Sequence, residues 1–153
     1  MTEIKRKVLF VCTGNSVRSQ MAEGLLKALR SGQWDVQSAG VLQSYVHPLA
    51  IQVMKEIRID ISKQTSKSWD RFINEKFNYI ITLCDHAAQF CPAFGGYGKR
   101  LHWPFEDPAG ATGTTEERLV VFRRIRDGIK KKIEEFLESE SSEVPDAIGS
   151  FKF

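Results

Sequence analysis

Strand-like apolar runs alternate with helix-periodic segments along the whole chain, and few architectures tolerate that alternation. Val8 to Val11 is a continuous apolar run, as expected of a strand buried on both faces. Met21, Ala22, Leu25, Leu26 and Leu29 then recur at helical spacing and stop near Ser31-Gly32. Trp34 to Ser38 reads as a second strand, ended by Gly40. His47-Pro48 opens a helix with Ala50, Val53, Met54 and Ile57 on one face. Residues 62–76 are polar and suggest a short helix between loops. Tyr79 to Leu83 is a third strand and Arg100 to Phe105 a fourth. Pro104, Pro108, Gly110 and Gly113 mark an irregular loop. Thr114 and Glu117 form a capping box for a last helix, whose apolar face is Phe122, Ile125, Ile129, Ile133, Phe136 and Leu137. The pattern predicts an α/β fold, a parallel sheet with helices on both faces. It forms a single domain over residues 1–139, with a polar tail over 140–153. Ligands of such sheets bind beyond the carboxyl ends of the strands. Cys12, Cys84 and Asp107 all follow predicted strands, so the fold gathers them at one edge.

A chain of 153 residues supports one core of this kind, and a formal charge of +3 is too small to imply nucleic acid. The cluster Arg123, Arg124, Arg126 and Lys130–Lys132 reads as the solvated face of the last helix rather than a nucleic-acid surface. No segment approaches the roughly 20 apolar residues that span a bilayer, and the first apolar stretch is too short for a secretory core. The expectation is a cytoplasmic protein without membrane contact. There thiols stay reduced, and three cysteines suit chemistry better than a structural disulfide framework.

Cys12-Thr13-Gly14-Asn15-Ser16-Val17-Arg18-Ser19 lies between a strand and a helix start. Gly14 and Asn15 tolerate positive φ, so the amides from Thr13 to Ser19 can turn inward as an oxyanion-binding nest, helped by the positive end of the helix. Arg18 supplies a planar fork that matches two oxygens of a tetrahedral anion. Cys12 shares that positive field, which favours the nucleophilic thiolate, and Ser19 is placed to donate a hydrogen bond to it. Asp107, before Pro108, is a candidate general acid, with Glu106 as competitor. The ordinary reading of an aspartate before proline is a turn residue. Cys84 and Cys91 can be read as inert buried thiols. A zinc site of Cys84, His86 and Cys91 lacks paired spacing and a fourth ligand, so no metal is expected. His47 and His102 read as structural, and Trp103 and Phe105 as core residues that could also wall the site.

The loop resembles the phosphate-binding loop of low-molecular-weight protein tyrosine phosphatases. Its continuation, Gln20-Met21-Ala22-Glu23-Gly24, is similar to the related thioredoxin-coupled arsenate reductases; the phosphatases usually have proline where Gln20 stands. Ser38-Ala39-Gly40, Asp60-Ile61-Ser62, Gln64-Thr65-Ser66, Thr82-Leu83-Cys84-Asp85, Cys91-Pro92 and His102-Trp103 through Asp107-Pro108-Ala109-Gly110 extend the likeness over nearly the whole chain except the tail. The resemblance implies the low-molecular-weight phosphatase fold, with a four-stranded parallel sheet. It implies a monomeric arsenate reductase without a cofactor, drawing electrons from reduced thioredoxin. Cys12 falls on the nucleophile, Arg18 on the anion clamp, Asp107 on the acid, and Cys84 and Cys91 on the shuttle thiols. Two other functions stay open: a phosphatase using Cys12, Arg18 and Asp107 alone, and a non-enzymatic thiol redox sensor. Some relatives bind potassium beside the loop. The matching positions here are Asn15, Glu23 and Ser38, but Lys67 replaces the expected carboxylate. Either its ammonium occupies the cation's place and pairs with Glu23, or it is a solvated lysine.

Transfer of a disulfide to Cys84 and Cys91 makes a geometric demand. A helical segment from 84 to 91 would hold the two Cα atoms about 10 Å apart. A disulfide needs them within roughly 7 Å. The segment must therefore unwind on oxidation, and Pro92, Gly95, Gly96 and Gly98 favour that.

Overall fold

A computed structural model describes residues 5–95 and 98–143, the side chains of 141–143 excepted. Strands β1 (Arg6–Cys12), β2 (Trp34–Gly40), β3 (Tyr79–Thr82) and β4 (Lys99–His102) form one parallel sheet in the order β2-β1-β3-β4. Val8 to Cys12 are all buried, as are Tyr79 to Thr82. Because side chains alternate between faces along a strand, unbroken burial means that both faces of the sheet are covered. Four helices supply the cover: α1 (Arg18–Leu29), α2 (Pro48–Glu56), α3 (Asp85–Phe90) and α4 (Thr115–Glu143).

The chain leaves β1 toward β2 on one side and returns to pair β3 on the other. The direction of winding therefore reverses between β1 and β3, and there the loops after the strands part to leave a crevice. Cys12 ends β1 and Cys84 follows β3, so the topology alone puts both thiols at that crevice.

Local chemistry explains the element ends. His47 caps α2, its Nδ1 accepting from the Leu49 amide at 3.0 Å. Thr114 and Glu117 form the reciprocal capping box of α4: Thr114 Oγ1 accepts from the Glu117 amide at 3.1 Å, and Glu117 Oε1 from the Thr114 amide at 2.8 Å.

The short helix expected within 62–76 is present as a 3₁₀ helix, Trp69–Phe72, pinned by two buried aromatic side chains. Three expectations need correction. The fourth strand ends at His102 rather than Phe105: Trp103 N still donates to Thr82 O, but Phe105 N donates to Leu83 O, one residue further along instead of two, so the regular ladder is lost. The last helix continues through residues 140–143, read as the start of the tail, and residues 144–153 lie outside the described residues. Glu140 is buried there, accepting from Tyr79 Oη at 2.5 Å and pairing with Arg6. Finally, Arg126 is not on a solvated face. It stands on the Phe122 and Ile129 side of α4 and is buried, donating to Val53 O at 2.8 Å and Glu56 Oε1 at 2.9 Å. Arg123 joins the same carboxylate at 2.9 Å. The cluster thus ties α4 to the end of α2.

Candidate active site

The loop after β1 is shaped by where its carbonyls go. Cys12 O accepts from Val41 N, Thr13 O from Leu42 N, Gly14 O from Ser66 Oγ, Asn15 O from Gln20 Nε2, Ser16 O from His47 N and Val17 O from Met21 N, all at 2.9–3.1 Å. No peptide bond among the described residues is cis, and in a trans peptide the N–H points opposite to its carbonyl. The amides of residues 13 to 18 therefore face away from all these partners, as an oxyanion nest requires, and α1 begins at the end of the run. Of the two residues expected to allow positive φ, Asn15 adopts it, at 49°, while Gly14 does not.

Asn15 is wholly buried and organises the loop. Its Oδ1 accepts from the Lys67 amide at 2.8 Å, which fixes the orientation of its carboxamide. Its Nδ2 then donates to Ser19 Oγ at 2.7 Å and to Ser38 Oγ at 3.0 Å. Ser38 in turn donates to Glu23 Oε1 at 2.5 Å. Ser19 lies 2.9 Å from Cys12 Sγ. With Asn15 donating to Ser19, the serine's own hydrogen is free to point at the Cys12 sulfur. A continuous polar chain thus runs from buried Glu23 to the Cys12 sulfur. Gly40 makes room for it: a Cβ there would lie 2.6 Å from Asn15 N.

Lys67 is not a solvated lysine. Its side chain is 8% exposed, it donates to Thr65 O at 2.8 Å, and its Nζ lies 3.9 Å from Glu23 Oε1. Burial pushes its ammonium below the ordinary lysine range, against the pull of Glu23. Lys27 holds the other Glu23 oxygen at 2.5 Å.

Arg18 is buried at the start of α1. Its Nη1 donates to Phe105 O at 3.0 Å, and its Nη2 lies 3.6 Å from Asp107 Oδ2. Its Nε is buried with no protein partner, an orphan donor beside the nest of the kind an oxyanion satisfies. Asp107 has the ordinary turn role, its Oδ1 accepting from Ala109 N at 3.0 Å, and its Oδ2 also faces Arg18. Glu106 instead pairs with Arg124 at 3.1 Å. A cleft of about 370 Å³ opens here, lined by Arg18, Cys84, Asp85, Pro104, Phe105 and Glu106. Phe105 does wall the site, whereas Trp103 is core.

Cys84 caps α3 with its sulfur, which accepts from the Ala87 amide at 3.4 Å. The same sulfur is 3.2 Å from Thr13 Oγ1, so the anion loop and the second thiol touch directly. Cys91 caps the other end of α3 and is half-buried. All three thiols are free. The fold thus brings Cys12, Arg18, Asp107 and Cys84 together and leaves Cys91 a helix length away. Cys84 and Cys91 at opposite ends of α3 do not converge with His86, and among the described residues no cluster of three His, Cys, Asp or Glu could hold a metal. No helix among them is long and apolar enough to cross a membrane. The contacts that residue order did not disclose are Thr13–Cys84 and the Asn15–Ser38–Glu23 chain.

The chain matches the family model described as low molecular weight phosphotyrosine protein phosphatase over residues 7–145. It is 51% identical over 135 residues to an arsenate reductase of Halalkalibacterium halodurans, covering 88% of this chain and 97% of the relative. A solved arsenate reductase in a phosphate-binding state superposes with a TM-score of 0.76 at 39% identity, over 88% of this chain and 98% of that one. A thioredoxin-dependent arsenate reductase of Corynebacterium glutamicum gives a TM-score of 0.71 at 26% identity, over 91% of this chain and 63% of that one. Nest, orphan guanidinium nitrogen and adjacent thiols lie on the scaffold these proteins share: the chain belongs to the low molecular weight phosphotyrosine protein phosphatase family and groups with its arsenate reductases.

Proposed function

We propose that the protein reduces arsenate to arsenite and passes the resulting disulfide to thioredoxin. The observation that carries this is the 3.2 Å contact between Cys84 Sγ and Thr13, which puts a second thiol against the anion loop. A phosphatase has no use for one there.

Arsenate occupies the nest, with Arg18 Nε and the inward amides on its oxygens. Cys12 attacks arsenic and one oxygen departs as water, protonated by Asp107. Cys84 then attacks Cys12 Sγ. The sulfur–sulfur bond forms as the sulfur–arsenic bond breaks, and the bonding pair stays on arsenic, which leaves as arsenite. Two thiols have been oxidised and one arsenic reduced by two electrons. Cys91 next attacks Cys84, freeing Cys12 and leaving a Cys84–Cys91 disulfide for reduced thioredoxin. The protein supplies all the chemistry without a cofactor, as a monomer in the cytoplasm, where thioredoxin is kept reduced.

The test is a coupled assay with arsenate, thioredoxin, thioredoxin reductase and NADPH, run beside an aryl phosphate. Arsenate-dependent NADPH oxidation supports the reading. Ester hydrolysis with no NADPH consumption would make the protein a phosphatase, and a disulfide without turnover a redox sensor.

The relay requires α3 to unwind, because its helical form holds residues 84 and 91 about 10 Å apart. Far-ultraviolet circular dichroism of the arsenate-oxidised protein is expected to show helix loss relative to the reduced form. Unchanged helix content would contradict the transfer to Cys91.

The Lys67 ammonium stands in for a bound monovalent cation, pairing with Glu23 beneath Asn15. Turnover is therefore expected to be the same in potassium and sodium salts at equal ionic strength. A strong preference for potassium would show that Lys67 does not fill that role.

A further inference from the structure

Two of the three thiols have visible support. Cys12 has the nest and Ser19; Cys84 has Thr13 and the Ala87 amide. The support for Cys91 comes from the edge strand β4. Arg100 and His102 are two residues apart, so they project from the same face of that strand, and they reach opposite ends of α3. His102 Nε2 meets Asp85 Oδ1 at 2.8 Å, while its Nδ1 meets Thr82 Oγ1 at 2.8 Å, tying down the Cys84 end. Arg100 donates to Pro92 O, the carbonyl immediately after Cys91. Arg100 and Cys91 also line one small cavity of about 140 Å³, with Ile80, Ala88 and Leu101 as its apolar wall.

We propose that Arg100 is the positioning residue for the last thiol of the relay: its guanidinium anchors the Cys91 end of α3 to the sheet and stabilises the Cys91 thiolate for attack on Cys84. This rests on the three-thiol reading above. The cavity by itself works against the attack, since burial pushes the Cys91 thiol up, while Arg100 pulls it down through its charge and a hydrogen bond. In the step itself, the Cys91 proton goes to water and the Cys91–Cys84 bond forms. The Cys84–Cys12 bond breaks, and its electron pair leaves on Cys12 as thiolate into the nest. No net oxidation occurs and Arg100 exchanges no proton. While His102 and Asp85 release the Cys84 end as α3 unwinds, the Arg100 anchor keeps Cys91 from swinging into solvent.

Reduced protein is mixed with one equivalent of arsenate, without thioredoxin, then quenched at intervals with an alkylating agent and mapped by mass spectrometry. In Arg100→Met, arsenite release and formation of Cys12–Cys84 are expected to keep their rates. Conversion to Cys84–Cys91 is expected to slow about tenfold or more, the effect of losing an adjacent opposite charge on a thiolate. Arg100→Lys, which keeps the charge, is expected to restore most of that rate; a purely structural role for Arg100 would not separate the two steps or be rescued this way. Conversion by Arg100→Met at the wild-type rate, or equal slowing of both steps, overturns the proposal while the relay stands. If the wild-type protein itself releases arsenite without ever forming Cys12–Cys84, the relay has failed and the proposal with it.

Discussion

Cys84→Ser is expected to abolish arsenate turnover, by roughly a thousandfold or more, while aryl phosphate hydrolysis stays within about threefold of the unsubstituted protein. The substitution is mild structurally. Serine caps a helix at least as well as cysteine, so its hydroxyl can take the place of the sulfur that accepts from Ala87 and contacts Thr13. What it cannot do is attack the Cys12 sulfur and accept a disulfide. In the proposed mechanism attack on arsenic or phosphorus uses Cys12, Arg18 and Asp107, whose hydrogen bonds and ion pair do not involve Cys84. Steady-state assays of both substrates measure the split. If both activities fall together, Cys84 supports the loop and not the electron transfer.

Arg18→Lys is expected to cost about a hundred- to a thousandfold in kcat/KM for arsenate and aryl phosphate alike, the range for loss of one preorganised donor to a transition-state oxyanion. The charge survives this change but the geometry does not. Arg18 uses Nη1 on Phe105 O and still offers Nε toward the nest, which a single ammonium on a flexible stem cannot copy. Equal kcat/KM for the lysine variant and the original would mean that charge alone suffices and that the orphan Nε is incidental.

These two results separate the proposed anion site from the proposed relay. They also follow the divide between what residue order revealed and what it hid. Val8 to Val11 and Tyr79 to Leu83 announced β1 and β3 because central parallel strands bury both faces and so carry no polar alternation. The anion loop was legible because its parts are contiguous, from Cys12 to Ser19. The support beneath it was legible only in part. The resemblance set Asn15, Glu23 and Ser38 together beside the loop as cation-site positions, but they come from a loop, a helix and a strand, and nothing in their spacing says that they form one hydrogen-bonded chain. Arg126 misled because its neighbours along the helix are charged; its burial is decided by α2, some 70 residues earlier in the chain. At Lys67 residue order left a buried and a solvated reading equally open, and only the packing against Glu23 decided between them. The helix between Cys84 and Cys91 is six residues long, too short to show a period, yet its length sets the distance that the proposed relay must close.

The central claim is that one arsenate oxidises two of the three thiols and spares the first. The direct measurement is a thiol count on reduced protein before and after one equivalent of arsenate, with no other reductant, alongside arsenite determination and disulfide mapping. The account requires the three free thiols to fall to a single one, Cys12, with Cys84 joined to Cys91 and one arsenite released per chain. Three thiols still free beside unreduced arsenate would contradict it.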